Sequence, residues 1–133
     1  MKNLIYGING PVVTVKNSTD FSMMEMVYVG NEKLIGEVIG INNDTTTIQV
    51  YEETSGLTPG EPVLTTGSPL SLTLGPGIIS NIFDGIERPL RDIAEKSGNF
   101  IHRSSEISAL NTEKLWNVTI NAKLDDEVLG GLI

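Results

Sequence analysis

The sequence contains no cysteine, and that single absence removes disulfides, thiolate-bound zinc and cysteine nucleophiles at once. Histidine is nearly as scarce: His102 stands alone, so no site needing two imidazoles can be built. No apolar run approaches the ~18–20 residues needed to span a bilayer. The opening MKNLIYGINGPVVTVKN is too interrupted by Gly and Pro to act as a signal peptide. No lysine follows a glycine, which excludes the Gly-Lys-Ser/Thr of a phosphate-binding loop. Positive charge is short as well. Nine Lys+Arg against 17 Asp+Glu leave a net charge of −8 over 133 residues, which disfavours contact with a phosphate backbone. A soluble, cytoplasmic chain is predicted, with no nucleic-acid partner and no direct membrane insertion.

What is present favours strands. With 39% hydrophobic and 20% charged residues the chain can bury enough apolar surface to fold, and 14 glycines and six prolines supply many turns. Leu4–Ile8, Pro11–Val15, Met24–Val29, Leu34–Ile41, Thr45–Tyr51, Pro62–Thr65 and Leu70–Leu74 are short and rich in Val, Ile, Thr and Leu, the residues of a pleated surface. Within Thr46–Tyr51 the alternation puts Ile48 and Val50 on one face and Thr47, Gln49 and Tyr51 on the other. Turn chemistry separates these runs at Gly10-Pro11, Gly30-Asn31, Asn42-Asn43-Asp44 and Pro59-Gly60. Short strands at this spacing predict a small closed β-barrel over residues 1–74, because closure removes exposed edges.

Residues 75–98 read as a helical linker. Ile78, Ile79, Ile82, Phe83 and Ile86 fall at helical spacing, which predicts a short helix before Pro89. A second helix is expected to start at Pro89, bury Leu90, Ile93 and Ala94, and stop at Gly98. Residues 99–133 are expected to begin a second, β-rich domain. Its strands would be Phe100–Arg103 and Trp116–Leu124, with an acidic turn at Asp125-Asp126-Glu127 before Val128–Ile133. The ending Gly130-Gly131-Leu132-Ile133 is apolar and has no polar tail, which suggests a stop inside that domain. The predicted fold class is therefore mainly β: a small six-stranded closed barrel, short helices, then a truncated β-rich domain.

Candidate chemistry is sparse. Gly75-Pro76-Gly77-Ile78-Ile79-Ser80 starts like a dinucleotide fingerprint, but Ser80 stands where the third glycine belongs, and a linker explains it better. His102 beside Ser104 and Ser105 could pair as base and nucleophile, yet sequence neighbours do not make a triad, and a boundary histidine is the simpler reading. Glu52-Glu53 and Asp125-Asp126-Glu127 could hold a hard cation, but their spacing is not that of an EF-hand loop, and solvated turns are favoured. Asp84-Gly-Ile-Glu87 reads as a capping box, and Trp116 with Phe100 as an apolar anchor of the second domain. The expectation is no catalytic residue, no cofactor-binding residue and no metal ligand.

Four stretches taken together resemble a known family. They are Ile8-Asn-Gly-Pro-Val-Val13; Leu34-Ile-Gly-Glu-Val-Ile39; Gln49-Val-Tyr-Glu-Glu-Thr-Ser-Gly-Leu57 with Pro59-Gly-Glu-Pro-Val63; and Pro69-Leu-Ser-Leu-Thr-Leu-Gly-Pro-Gly77 running to Asp84-Gly-Ile-Glu-Arg-Pro-Leu90. Their order is that of the N-terminal part of the catalytic A subunit of V-type/A-type rotary ATPases, the V-type ATP synthase alpha chain. Ala109-Leu-Asn-Thr-Glu-Lys-Leu-Trp116 and the acidic turn before Gly130-Gly131 resemble that subunit's inserted bulge domain. Arg103-Ser-Ser-Glu-Ile and Lys114-Leu-Trp116 depart from the family's usual residues there.

The resemblance implies an N-terminal barrel in the crown of an alternating ring with B subunits, and a bulge that meets the peripheral stalk. It implies a parent enzyme that couples ATP hydrolysis or synthesis to proton or sodium transport in a soluble V1/A1 sector peripheral to the membrane. ATP and magnesium belong to a domain further along that parent, so no catalytic residue carries over to this chain. The other class of function the strand pattern permits is an autonomous, OB-like binding barrel. Against it, residues 1–75 hold three lysines and no arginine beside eight acids.

Overall fold

The computed structural model of the chain describes residues 3–16, 20–98 and 108–127. Six strands form in chain order: β1 Ile5–Asn9, β2 Val12–Lys16, β3 Glu25–Val29, β4 Leu34–Asn42, β5 Thr45–Val50 and β6 Val63–Pro69. They pair antiparallel in the order β1-β2-β5-β4-β3-β6. The alternation anticipated from the sequence sets which face is buried. Val13, Val15, Val27, Val29, Leu34, Val38, Ile48 and Val50 close one core with Ile5, Phe21 and Val63. Thr47 is half-buried, and Gln49 and Tyr51 are exposed on the opposite side.

Turn residues act where the chain must reverse. Gly10 joins β1 to β2 at φ +58, and Asn43 joins β4 to β5 at φ +51. These left-handed values suit Gly and Asn. Gly36 answers a different need. A Cβ there would lie 2.9 Å from the Ile48 side chain and 3.0 Å from the Gln49 carbonyl, so only a hydrogen lets β4 approach β5.

The closed barrel expected from the spacing needs correcting, because the ladder between β1 and β6 is not completed. An isolated bridge joins Leu4 to Pro62 across this seam. Three backbone bonds accompany it: Ile5 N–H to Glu61 O at 2.9 Å, Gly60 N–H to Ile5 O at 2.8 Å, and Val63 N–H to Asn3 O at 2.8 Å. Ile5 O is reached by the Gly60 N–H and not by that of Glu61, so the register breaks beside the bridge, and past Val63 every residue of β6 is exposed.

Three other expectations are also corrected. Leu70–Leu74 forms no strand; it leaves the sheet behind Pro69. The helix expected over Ile78–Ile86 is only a 3-10 turn at Pro76–Ile78, followed by bends, and Ser80 at φ +70 breaks any helical run. The second helix does form, as α1 over Leu90–Ser97, with Pro89 at its N-cap and Gly98 closing it through its N–H on Ala94 O at 2.9 Å. It buries Ile93, half-buries Leu90 and leaves Ala94 exposed.

Among the described residues 108–127 there is no strand, so Trp116–Leu124 is unladdered and no β-rich second domain is seen there. The strands expected at Phe100–Arg103 and Val128–Ile133, and His102 with its neighbouring serines, lie outside the described residues.

Candidate functional site

The polar structure of the chain concentrates where β5 ends and the segment before α1 crosses back to it. Glu52 lies two residues past the end of β5, and its side chain is 5% exposed. One oxygen accepts the Ile35 N–H at 3.3 Å, and the other meets Arg88 Nη1 at 2.8 Å. Arg88 turns its Nε to Asp84 Oδ2 at 2.6 Å. The other oxygen of Asp84 accepts the N–H groups of Arg88 at 2.8 Å and Ile86 at 3.1 Å. The Asp84 N–H in turn donates to Arg88 O at 3.1 Å.

A continuous polar path thus runs from the start of β4, through two carboxylates and one guanidinium, into a closed loop at residues 84–88. Burial pushes the Asp84 carboxyl up. The Arg88 N–H, the guanidinium, the Ile86 N–H and the Arg88 charge together outweigh this and hold it below the usual aspartate range. Asp84-Gly-Ile-Glu87 is therefore not the capping box its spacing suggests. Glu87 sits at φ +64 and reaches back to the Thr73 N–H at 3.1 Å, and the helix starts only after Pro89.

Two further glutamates tie loops to the sheet. Glu25 is 2% exposed at the start of β3 and accepts three backbone N–H groups: Ser22 at 2.8 Å, Thr66 at 3.1 Å and Gly67 at 2.8 Å. Glu61 accepts from Asn31 N–H and Thr58 N–H, both at 2.8 Å, and from the Thr58 hydroxyl at 2.9 Å. The Asn31 bond, then the two from Thr58, hold the Glu61 carboxyl below its ordinary value. Tyr51 donates to Glu37; that bond, then burial and the carboxylate charge, pushes the Tyr51 phenol up.

The candidate acids of the sequence divide differently. Glu52 belongs to the Arg88 path, while Glu53 accepts from the Ser55 N–H and hydroxyl in a local turn. Asp126 closes its turn on Lys123 N–H at 2.7 Å, with Asp125 at φ +71. Among the described residues, no group of three or more His, Asp or Glu side chains could hold a metal. The tie between Glu52 and Arg88, 36 residues apart, carries no local spacing signal. Glu25 does carry one, because it shares the alternation of Val27 and Val29 and so falls on the buried face.

Outside these ties the sheet exposes large apolar side chains. Tyr6, Met23, Met24, Ile39, Ile41 and Leu64 all lie on its surface. Lys16 stacks over the Tyr6 ring at 3.9 Å from its centre. At the seam, an open recess of about 690 Å³ is lined by Asn3, Leu4, Asp20, Asn31, Pro62 and Leu64. Its residues offer no nucleophile paired with a base, and no cation for a phosphate. No helix among the described residues is long and apolar enough to cross a membrane.

Comparison with known proteins gives the same outline. Residues 5–67, which contain β1 to β5 and the first part of β6, match the family described as "ATP synthase alpha/beta family, beta-barrel domain". The chain is 54% identical over 132 residues to a V-type ATP synthase alpha chain of Halothermothrix orenii, covering 99% of this chain and 22% of that protein. It is 52% identical over 135 residues to the catalytic A subunit of a V-type proton ATPase of Cyanidium caldarium, covering 98% and 23%. It is 51% identical over 130 residues to the A subunit of an A-type ATP synthase of Nanoarchaeum equitans, covering 97% and 22%. The chain thus spans less than a quarter of the length of these relatives.

Proposed function

Because this chain belongs to the ATP synthase alpha/beta family, through the barrel domain matched at residues 5–67, we propose that it is a non-catalytic assembly module. Its setting is the catalytic A subunit of a V-type or A-type ATPase, which couples ATP hydrolysis or synthesis to proton or sodium transport. The observation that supports this most is the pairing of a single buried core with an outer surface rich in Tyr6, Met23, Met24, Ile39, Ile41 and Leu64, and with no convergent catalytic groups among the described residues. Surfaces of this kind serve protein neighbours.

In this reading residues 1–74 stand in the crown of a ring alternating with B subunits, and 75–98 link them to the next domain. Residues 99–133 begin a bulge that reaches the peripheral stalk. The assembly is the soluble sector on the cytoplasmic side of the membrane. The polar path of Glu52, Arg88 and Asp84 would fix the direction in which the chain leaves the sheet.

The residues present do not fit ATP and magnesium. There is no Gly-Lys-Ser/Thr, the Gly75–Ser80 stretch is a 3-10 turn and bends, and among the described residues no carboxylate cluster awaits a cation. Calorimetric titration with ATP and Mg²⁺ is expected to show no saturable heat. Micromolar, stoichiometric binding would contradict the non-catalytic reading.

The assembly role is tested by measuring the mass of the complex under native conditions after addition of a B subunit. A complex containing both chains is expected, and it should weaken when Tyr6 and Leu64 are both changed to glutamate. If the B subunit's mass spectrum is unchanged by this chain at any ratio, the assembly role is wrong.

A further inference from the structure

The outer face of the sheet is not uniform. Ladder partners stand side by side, so the outward side chains form rows that cross the strands. At one end Thr14 on β2 lies opposite Thr47 on β5, and Lys16 lies opposite Thr45. That end is polar, as the solvated face of an antiparallel sheet should be. The other end differs. Tyr28 on β3 stands between Ile35 on β4 and Leu64 on β6. The Tyr51 N–H donates to Ile35 O at 2.9 Å, which carries the same row past the end of β5. Leu64 is 46% exposed and Tyr51 41%, while Tyr28 and Ile35 are half-buried. One row further along, Met26 faces Glu37. Tyr51 donates its hydroxyl to Glu37, and among the described residues no lysine or arginine pairs with that carboxylate.

We propose that this end of the outer face docks an apolar surface of a non-identical chain, which presents an arginine to Glu37. On the assembly role proposed above, on which this assignment rests, that chain is the B subunit. The chemistry of the face points to such an occupant. Tyrosines and aliphatic side chains in one row are the anchors of protein interfaces, and a charged group at their border sets register. A carboxylate beside a tyrosine ring suits a guanidinium, which pairs with the acid as a planar fork and lies against the ring.

Charge selects against a second copy of this chain. Two chains of net charge −8 repel one another, and residues 1–75 hold no arginine to offer. Arg88 is already held by Glu52 and Asp84.

The test titrates the B subunit into the 133-residue chain and its variants. Glu37→Lys is expected to weaken the complex about tenfold or more, and Leu64→Ser several-fold. Glu37→Gln keeps an acceptor for Tyr51 but removes the charge, so it should lose most of the salt dependence of the wild-type affinity. Thr47→Lys, at the polar end, should stay within about twofold of wild type. Hydrogen exchange at Val38 and Ile48 checks that each variant keeps its core. Unchanged affinity in both Glu37→Lys and Leu64→Ser would overturn the face, and so would an equal loss from Thr47→Lys. A wild-type complex insensitive to salt would overturn the arginine. Self-association of the chain alone that Leu64→Ser removes would overturn the occupant, since a second copy would then use the face. Absence of any wild-type complex would overturn the assembly role together with the face, so the two failures read differently.

Discussion

Replacing Glu25 by alanine is expected to cost about 3–4 kcal/mol of folding stability, the largest single-residue effect anticipated for a polar side chain here. The carboxylate is 2% exposed and is the acceptor for Ser22, Thr66 and Gly67 N–H groups, which come from the entry to β3 and from the middle of β6. Alanine removes three bonds to a charged acceptor, each worth about 1.5–3 kcal/mol, and because Ser22, Thr66 and Gly67 are exposed, water takes up part of that loss. It also releases β6 from β3 where their register already shifts, between Glu25 and Val27. Small domains are stable by only about 5–15 kcal/mol, so the variant should unfold at a visibly lower urea concentration.

Glutamine separates the bond count from the volume. It keeps one oxygen for Thr66 and Gly67 but turns a donor towards the Ser22 N–H, so it should fall between wild type and alanine. Urea midpoints of the three proteins are the measurement. An alanine variant within about 1 kcal/mol of wild type would show that the three bonds are not needed.

Replacing Arg88 by methionine is expected to have the second-largest effect, about 2–3 kcal/mol, and to act locally. Two carboxylates, Glu52 and Asp84, would be left facing one another with no guanidinium between them. Removing one partner of a fully buried pair costs about 3–5 kcal/mol, and side-chain exposures of 17% at Arg88 and 21% at Asp84 reduce that figure. The amides of Ile86 and Arg88, both bound to Asp84 Oδ1, should exchange faster, while those of Val13 and Ile48 in the core should be less affected. Arg88→Lys should recover only part of the loss, because an ammonium cannot span both carboxylates as a planar fork does.

The same path predicts an acid limb. The Asp84 carboxyl titrates below its ordinary value of 3.8, so it binds fewer protons folded than unfolded near that pH. Its contribution is present above the unfolded value and is lost as pH falls through the lower folded one. In Arg88→Met the Asp84 titration, followed by carbon-detected NMR, should move upward. An unmoved titration would mean that the loop amides alone hold the carboxyl ionised.

How far these features could be read from the sequence depends on how local they are. Alternation identified the strands because burial on one face forces period two; Ile48, Val50 and Val13 needed nothing more. Gly98 and Pro89 bracketed α1 because caps are local chemistry. The run Ile78–Ile86 misled for the converse reason. Its apolar spacing is helical, but Ser80 and Glu87 adopt left-handed backbone angles that its pattern does not encode, and its aspartate closes a loop with Arg88 instead of capping a helix. Closure failed at a point no alternation could reveal, since the register breaks where the Gly60 N–H, and not that of Glu61, reaches Ile5 O. The Arg88–Glu52 tie was invisible for a plainer reason. It joins residues brought together only by the fold, and neither is unusual in its own neighbourhood.

The seam has a mechanical consequence. The main joints of the sheet are ladders of four to six paired residues, whereas β1 meets the start of β6 through one bridge and three backbone bonds. Tension applied along the chain at Asn3 would therefore concentrate on the bonds at Asn3 and Ile5 before it reached any long ladder. Those bonds break one at a time, and the rest of the sheet keeps its pairing while they do. Load entering through β1 would peel the domain open from this line, whereas load entering through β4 or β5 would have to shear whole ladders at once.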